Sequence, residues 1–399
     1  MPDNRTSTFK SLLEILLVST RLGFTSFGGP IAHLGYFHEE YIRRRKWIDE
    51  KSYADLVALC QFLPGPASSQ VGIGIGVMRA GVLGGIVSFI GFTLPSVIAL
   101  ILFALALHQF GFDDSGWIHG LKIVAVVVVA HAVLGMAQNL TPDLQRRTLA
   151  LLALVVTLLW QTAFTQVGVI LAAGFAGFLL YRQQTLDHSA SEAKFPISHR
   201  FAAVCLTLFF ALLVALPILR EVSGLQAVAL FDSFYRAGSL VFGGGHVVLP
   251  LLEREFVPTG WLTEEQFLAG YGAAQAVPGP LFTFAAYIGA VINGWQGGLL
   301  ATIAIFLPAF LLIFGTLPFW QSLRQNASIK GVLMGVNAAV VGILFSALYQ
   351  PIWTSSILSA IDFAFAAILF GMLVFWKLPP WVIVLTGAAG GFLLALGGA

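Results

Sequence analysis

The chain has 399 residues, of which 58% are hydrophobic and 10% charged, with 21 Lys/Arg against 19 Asp/Glu. A soluble globular chain carries roughly 25% charged residues, and here the few charges cluster, leaving uncharged apolar stretches of about 18 residues or more that can cross a bilayer. This excludes a soluble enzyme, a nucleic-acid binder and a disulfide-stapled secreted domain, and it predicts an all-α integral membrane protein in contact with lipid. Cys60 and Cys205 lie far apart among apolar neighbours and read as buried small hydrophobes. The opening MPDNRTSTFKSLLEILL lacks the basic–apolar–small order of a cleaved signal, so the chain reads as mature.

In chain order, apolar segments are predicted at about 10–37, 52–79, 82–108, 118–139, 147–162 and 165–181. A polar stretch, RQQTLDHSASEAKFPISHR, and one extra apolar segment at 201–219 follow. Six more segments then come at 227–252, 263–292, 295–321, 329–349, 354–376 and 380–397. The two sets repeat one another. RLGFTSFGGPIAHL around Arg21 answers RAGSLVFGGGHVVL around Arg236 at an offset of 215, and Gln61, Pro64, Gly65 and Pro66 answer Gln275, Pro278, Gly279 and Pro280 at 214. Gly81, Gly84, Gly85 and Pro95 answer Gly294, Gly297, Gly298 and Pro308 at 213. A slowly drifting offset with recurring Gly and Pro marks a duplication. The organisation is therefore a first repeat at 8–181, a polar linker with a connecting helix at 182–226, and a second repeat at 227–397.

The odd connecting helix turns the second repeat upside down relative to the first. Loop 38–51 holds Arg43, Arg44, Arg45, Lys46 and Lys51, whereas its counterpart 253–265 holds only Arg254. Basic residues in short loops favour the cytoplasmic side, so the matched loops are expected on opposite sides, as in inverted-repeat transporters. With thirteen full crossings and Arg21 left uncounted, 12 Lys/Arg fall inside and 8 outside; if the first two segments of each repeat dip in and return, 16 fall inside and 4 outside. Pro64-Gly65-Pro66 also cuts its segment into pieces too short to span. Nine full crossings with four broken or re-entrant segments is the preferred reading.

Pro and Gly at membrane depth interrupt helices, and the freed backbone groups are tolerated only inside protein or along a cavity. Interrupted helices present N–H groups and positive dipole ends, which suit an anion. The candidate substrate-binding residues are Arg21, Gly28, Gly29, Gln61, Pro64, Gly65 and Pro66, with Arg236, Gly243, Gly244, Gln275, Pro278, Gly279 and Pro280 in the second repeat. Arginine supplies a charged fork for an oxyanion; the plainer reading is an interfacial anchor. Gln61 and Gln275 would add hydrogen bonds, or only join helices. His33, Glu40, His246 and Glu255 are candidates for proton coupling, against structural or solvated roles. The Gly and Pro residues alternatively permit close helix packing. No phosphate loop, metal-ligand pattern or nucleophile motif is present, so neither catalytic residues, a cofactor nor a metal is expected.

FGGPIAHL with the basic loop and QFLPGP, then FGGGHVVLPLLEREF with QAVPGP, resemble the chromate ion transporter (CHR) family in its long, two-domain bacterial form. The resemblance covers nearly the whole chain. It implies a multi-pass inner-membrane protein that exports chromate from the cytoplasm, confers chromate resistance and draws on the proton motive force. The long form is usually drawn with thirteen segments. By the resemblance, Phe27 to Pro30, Pro64 to Pro66, Phe242 to Gly245 and Pro278 to Pro280 matter for transport; Gly245 departs from the pattern where Pro30 would stand. Sulfate, a dianion of similar shape, stays open as the physiological substrate, as do a passive anion channel and a binding-only sensor or scaffold. A homodimer is compatible with inverted-repeat transporters, though no residue marks one.

Overall fold

The computed structural model of the chain describes residues 4–110, 116–160, 162–181, 196–242, 245–320 and 327–396. Helix α1 (Asn4–Thr25) stops at Ser26–Gly28, where Gly28 takes a left-handed φ of 96°. The chain then doubles back through α2 (Gly29–Phe37), with Pro30 in its first turn, and a π-helical turn over His38–Arg44. Arg45 Nη1 reaches Glu14 Oε1 at 2.8 Å while His33 Nε2 reaches the Ser26 carbonyl at 3.1 Å, so the two limbs form an antiparallel hairpin.

A second hairpin follows. Asp49 caps α3 (Glu50–Phe62) by accepting Ser52 N–H at 2.9 Å, a favourable helix start. After Pro64-Gly65-Pro66, α4 (Ala67–Phe110) begins. Leu56 packs against Gly74, where a Cβ would stand 2.7 Å from Leu56 Cδ1; α3 and the limb 67–79 therefore lie side by side and run in opposite directions. Each limb is a 13-residue helix of about 20 Å, short of the ~30 Å hydrocarbon core. At Ala80 (φ −146°) and Gly81 (φ 65°) the chain reverses again into the limb 82–110, and Ser88 Oγ donates back to Gly72 O at 2.9 Å. The segments predicted at 52–79 and 82–108 part at this reversal.

The second repeat builds the same path from α9 (Gln226–Leu240), α10 (Val248–Phe256), α11 (Glu264–Ala276) and α12 (Phe284–Thr316). Tyr287 Oη donates to Gln266 O at 2.9 Å, pairing α11 with the first limb of α12, which reverses at Asn293 (φ −145°) and Gly294 (φ 56°). Even the turn after the first hairpin recurs: Trp47 N–H bonds Tyr41 O at 2.7 Å, and Trp261 N–H bonds Phe256 O at 3.1 Å.

The repeats interlock rather than sit apart. Their long limbs cross with Phe89 against Phe306 (centroids 4.9 Å apart) and Ile101 against Gly298, so matched limbs run antiparallel. The remaining helices of the first repeat are α5 (Gly116–Leu140), α6 (Leu144–Leu159) and α7 (Ala163–Tyr181). After the connecting α8 (His199–Ser223), the second repeat ends in α13 (Ala327–Ala347), α14 (Ala360–Val374) and α15 (Pro380–Leu396). Here the exchange is reciprocal: α5 packs on α15 through Gly120 and Gly391, and α13 packs on α7 through Gly331, Gly335 and Gly177. A Cβ on Gly391 would lie 2.6 Å from Gly120 Cα, which is the small-residue contact expected between membrane helices. By length and composition alone, five stretches among the described residues are apolar enough to cross a membrane: Gly116–Leu140, His199–Ser223, Ile329–Ser356, and Ala67–Leu107 and Leu281–Phe319, each of which contains a reversal. This is an all-helical, multi-pass membrane architecture among the described residues.

Candidate functional site

Where the hairpin tips of the two repeats meet, the broken backbone is stitched by two matched hydrogen bonds. Gly65 N–H donates to Val241 O at 2.7 Å, and Gly279 N–H donates to Ser26 O at 2.9 Å. Val241 is the repeat counterpart of Ser26, and Gly279 that of Gly65. Both glycines need their left-handed φ of 113° and 100°, a conformation open to glycine at little cost. Ser96 Oγ, from the long limb of α4, donates to Pro278 O in the other repeat. Backbone groups released by the P-G-P breaks are thus satisfied across the repeat boundary, and the crossing sits in the protein interior.

Around the crossing the first repeat is polar. His33 is fully buried and bridges Ser26 O (3.1 Å) and Ser68 Oγ (3.2 Å). Gln70 Nε2 donates to Pro64 O at 2.9 Å, which fixes the amide orientation. Ser26 Oγ, Ser69 Oγ, Gln70 Oε1 and Thr93 Oγ1 are buried without a hydrogen-bond partner. The matched positions in the second repeat are Val241, Thr283, Phe284 and Phe306. On that side His246 Nδ1 bonds Tyr271 Oη at 2.8 Å, and Gln275 Nε2 is buried without a partner.

The charged candidates fare unequally. Arg21 is exposed on α1, as is Gln61 on α3, and neither side chain has a partner among the described residues. Arg236 is instead held in a part-buried network: its Nη2 lies 2.9 Å from Asp232 Oδ2 and 3.0 Å from Glu255 Oε2. Arg220 reaches Asp232 at 3.3 Å, and Ser233 Oγ donates to Glu255 at 2.9 Å. Glu40, the counterpart of Glu255, is buried against Arg45 at 2.8 Å. Gly28, Gly29, Pro64, Gly65, Pro66, Pro278, Gly279 and Pro280 all flank the crossing; Gly243 and Gly244 lie outside the described residues. Sequence reasoning passed over Ser26, Ser68, Ser69, Thr93, Ser96 and Asp232. The available signal was a contrast between repeats: ASSQ follows the first P-G-P, LFTF the second.

Duplicated apolar hairpins, broken at the centre and stitched tip to tip, define an all-helical, multi-pass membrane protein. The chromate transporter family matches the chain over residues 13–178 and 228–392, and the chain belongs to that family. It is 30% identical over 330 residues to a chromate transport protein of Pseudomonas aeruginosa, covering 81% of this chain and 77% of that one. A probable chromate transport protein of Synechococcus elongatus is 30% identical over 352 residues, 84% of each chain. An uncharacterised transporter of Methanocaldococcus jannaschii is 28% identical over 343 residues, 84% of this chain and 83% of that one. No solved structure matches.

Proposed function

We propose that the protein is a secondary transporter that exports chromate from the cytoplasm across the cell inner membrane, confers chromate resistance and draws on the proton motive force. The observation that carries this reading is the reciprocal crossing of broken helices, in a chain of the chromate transporter family. The repeats act as inverted halves, 8–181 and 227–397; the antiparallel crossing of their matched long limbs supports this arrangement. The first two hairpins of each half are re-entrant, and their tips, at 26–28, 63–66 and 277–280, receive the anion near the midplane. Gln275 offers a free amide there. Arg21 supplies a positive charge. Arg236 is its counterpart in the second repeat, and Glu255, Glu40, His33 and His246 are the candidates for proton coupling. Rocking of the inverted halves alternates access.

Hydroxyl and N–H donors read oxygens, not the central atom, so sulfate shares the seat. Inside-out vesicles carrying the protein, given an imposed proton gradient, test the whole reading. Accumulation of chromate above equilibrium that an uncoupler abolishes is the expected result, with excess sulfate slowing it. Protein-dependent flux that only follows the electrochemical gradient would make the protein a channel; sulfate flux without chromate flux would overturn the substrate.

A further inference from the structure

We propose that the chain holds a single oxyanion seat, not a symmetric pair, at the start of the α4 limb 67–79, and that the hydroxyls of Ser26 and Ser69 are ligands. The inference rests on the transport reading above and says which residues bind the tetrahedral anion.

Several of the other polar groups at this place are spent. Ser26 N–H is bonded to Leu22 O at 2.8 Å, and its carbonyl receives Gly279 N–H and His33 Nε2. Because Nε2 faces a carbonyl it must carry the hydrogen, which leaves neutral Nδ1 an acceptor for the Ser68 hydroxyl. His33 therefore consumes the Ser68 donor and ties the Ser26 loop to the start of α4. Gln70 spends an amide hydrogen on Pro64 O, holding the P-G-P turn against the same helix start. Left without partners are the acceptor Gln70 Oε1 and three hydroxyls: Thr93 Oγ1 on the long limb, Ser26 Oγ on a residue 0% exposed, and Ser69 Oγ, in the first turn of the limb 67–79, on a residue 2% exposed. Buried hydroxyls are rarely left so, since an unmade hydrogen bond is costly. The first-turn N–H groups of the 13-residue limb also have no acceptor within the helix, and its dipole end is positive there. Ser69 lies in that first turn and His33 ties Ser26 to it through Ser68, so the two hydroxyls and the helix start are donors that an oxyanion would satisfy together.

The matched place in the second repeat has lost this chemistry. Val241 stands for Ser26, Phe282 for Ser68 and Phe284 for Gln70. Thr283 stands for Ser69, but its hydroxyl is committed to Pro280 O at 2.8 Å. That tip serves to brace the seat through the Gly65–Val241 and Gly279–Ser26 bonds.

Full-length protein in proteoliposomes, with radiolabelled chromate, tests the proposal. Ser26→Ala and Ser69→Ala remove atoms that have no native partner, so folding is expected to persist. Each should raise the half-saturating chromate concentration by about tenfold or more, the effect of one lost hydrogen bond to a charged group. Ser69→Thr, which keeps the hydroxyl, should restore near wild-type values, and Thr283→Ala should shift them by no more than about twofold. As a second measurement, chromate should raise the melting temperature of the wild type but not of the double variant Ser26→Ala/Ser69→Ala, because only a bound ligand stabilises the folded state. Equal effects of Ser69→Ala and Thr283→Ala, or full protection of the double variant by chromate, would overturn the single seat. A wild type that moves sulfate but not chromate would fail the substrate reading instead, and the same series run with sulfate would still decide the seat.

Discussion

Asp232 shows how one residue separates two positions that the repeat makes look equal. Arg21 and Arg236 match in sequence, yet Leu17 stands where Asp232 does, and only Arg236 gains a buried carboxylate partner. Asp232 has 1% of its side chain exposed and lies between two guanidinium groups. Replacing it with Ala would leave Arg220 and Arg236 facing Glu255 alone, and breaking a buried pair costs about 3–5 kcal/mol. Because both arginines are part-exposed, a loss nearer the lower figure is expected for Asp232→Ala. Arg21→Ala, at an exposed and unpaired site, should stay within about 0.5 kcal/mol. Thermal unfolding in detergent measures both, and equal shifts would refute the network. The sequence made Arg21 and Arg236 legible as a pair; it did not reveal that one is neutralised, because that depends on a one-turn spacing on α9 and on where α8 and α10 end.

At the level of elements, the hairpins explain which glycines are indispensable. Gly81 and Gly294 reverse the chain with φ of 65° and 56°, and a Cβ at either would meet nothing within 4 Å. Alanine there bears only backbone strain, about 1–3 kcal/mol for a positive φ with ψ of −159°, a region essentially reserved for glycine. Gly76 and Gly289 are different, since a Cβ would strike the carbonyls of Gly84 and Gly297 on the returning limb. Neither backbone can yield without parting the hairpin, so Gly76→Ala should lower stability well beyond Gly81→Ala and reduce transport with it. Unfolding midpoints of the two variants decide this; the reverse order would show that the limbs are not packed as described. Segment ends at 79/82 and 292/295 were readable from Gly spacing and hydropathy. That the chain folds sharply back at those points was not, because periodicity carries no information about the direction of the next helix. Likewise, P-G-P announced a break in α3–α4, while the partner that closes it, Val241 O, lies 176 residues further along the chain.

For the molecule as a whole, the interlocked repeats make a definite claim about sides. Glu14 binds both Arg45 (2.8 Å) and Arg79 (2.9 Å), so the outer part of α1, the loop after α2 and the end of the limb 67–79 share one face of the protein. That face carries Arg43, Arg44 and Lys46, and the positive-inside bias predicts that it faces the cytoplasm. In the second repeat, Arg236 on α9 pairs with Glu255 at the end of α10, and the antiparallel crossing of the long limbs predicts that this end of α10 faces the other way. Lys46→Cys and Ala80→Cys should then react with an impermeant maleimide from the cytoplasmic side alone, and Gly260→Cys from the opposite side alone. The native thiols of Cys60 and Cys205 are buried, so background labelling should be low. If segment 52–79 instead crossed the bilayer fully, positions 46 and 80 would label from opposite sides. Labelling of 46 and 260 from one side would remove the inverted arrangement, and with it the alternating-access mechanism built on two hairpin pairs meeting tip to tip.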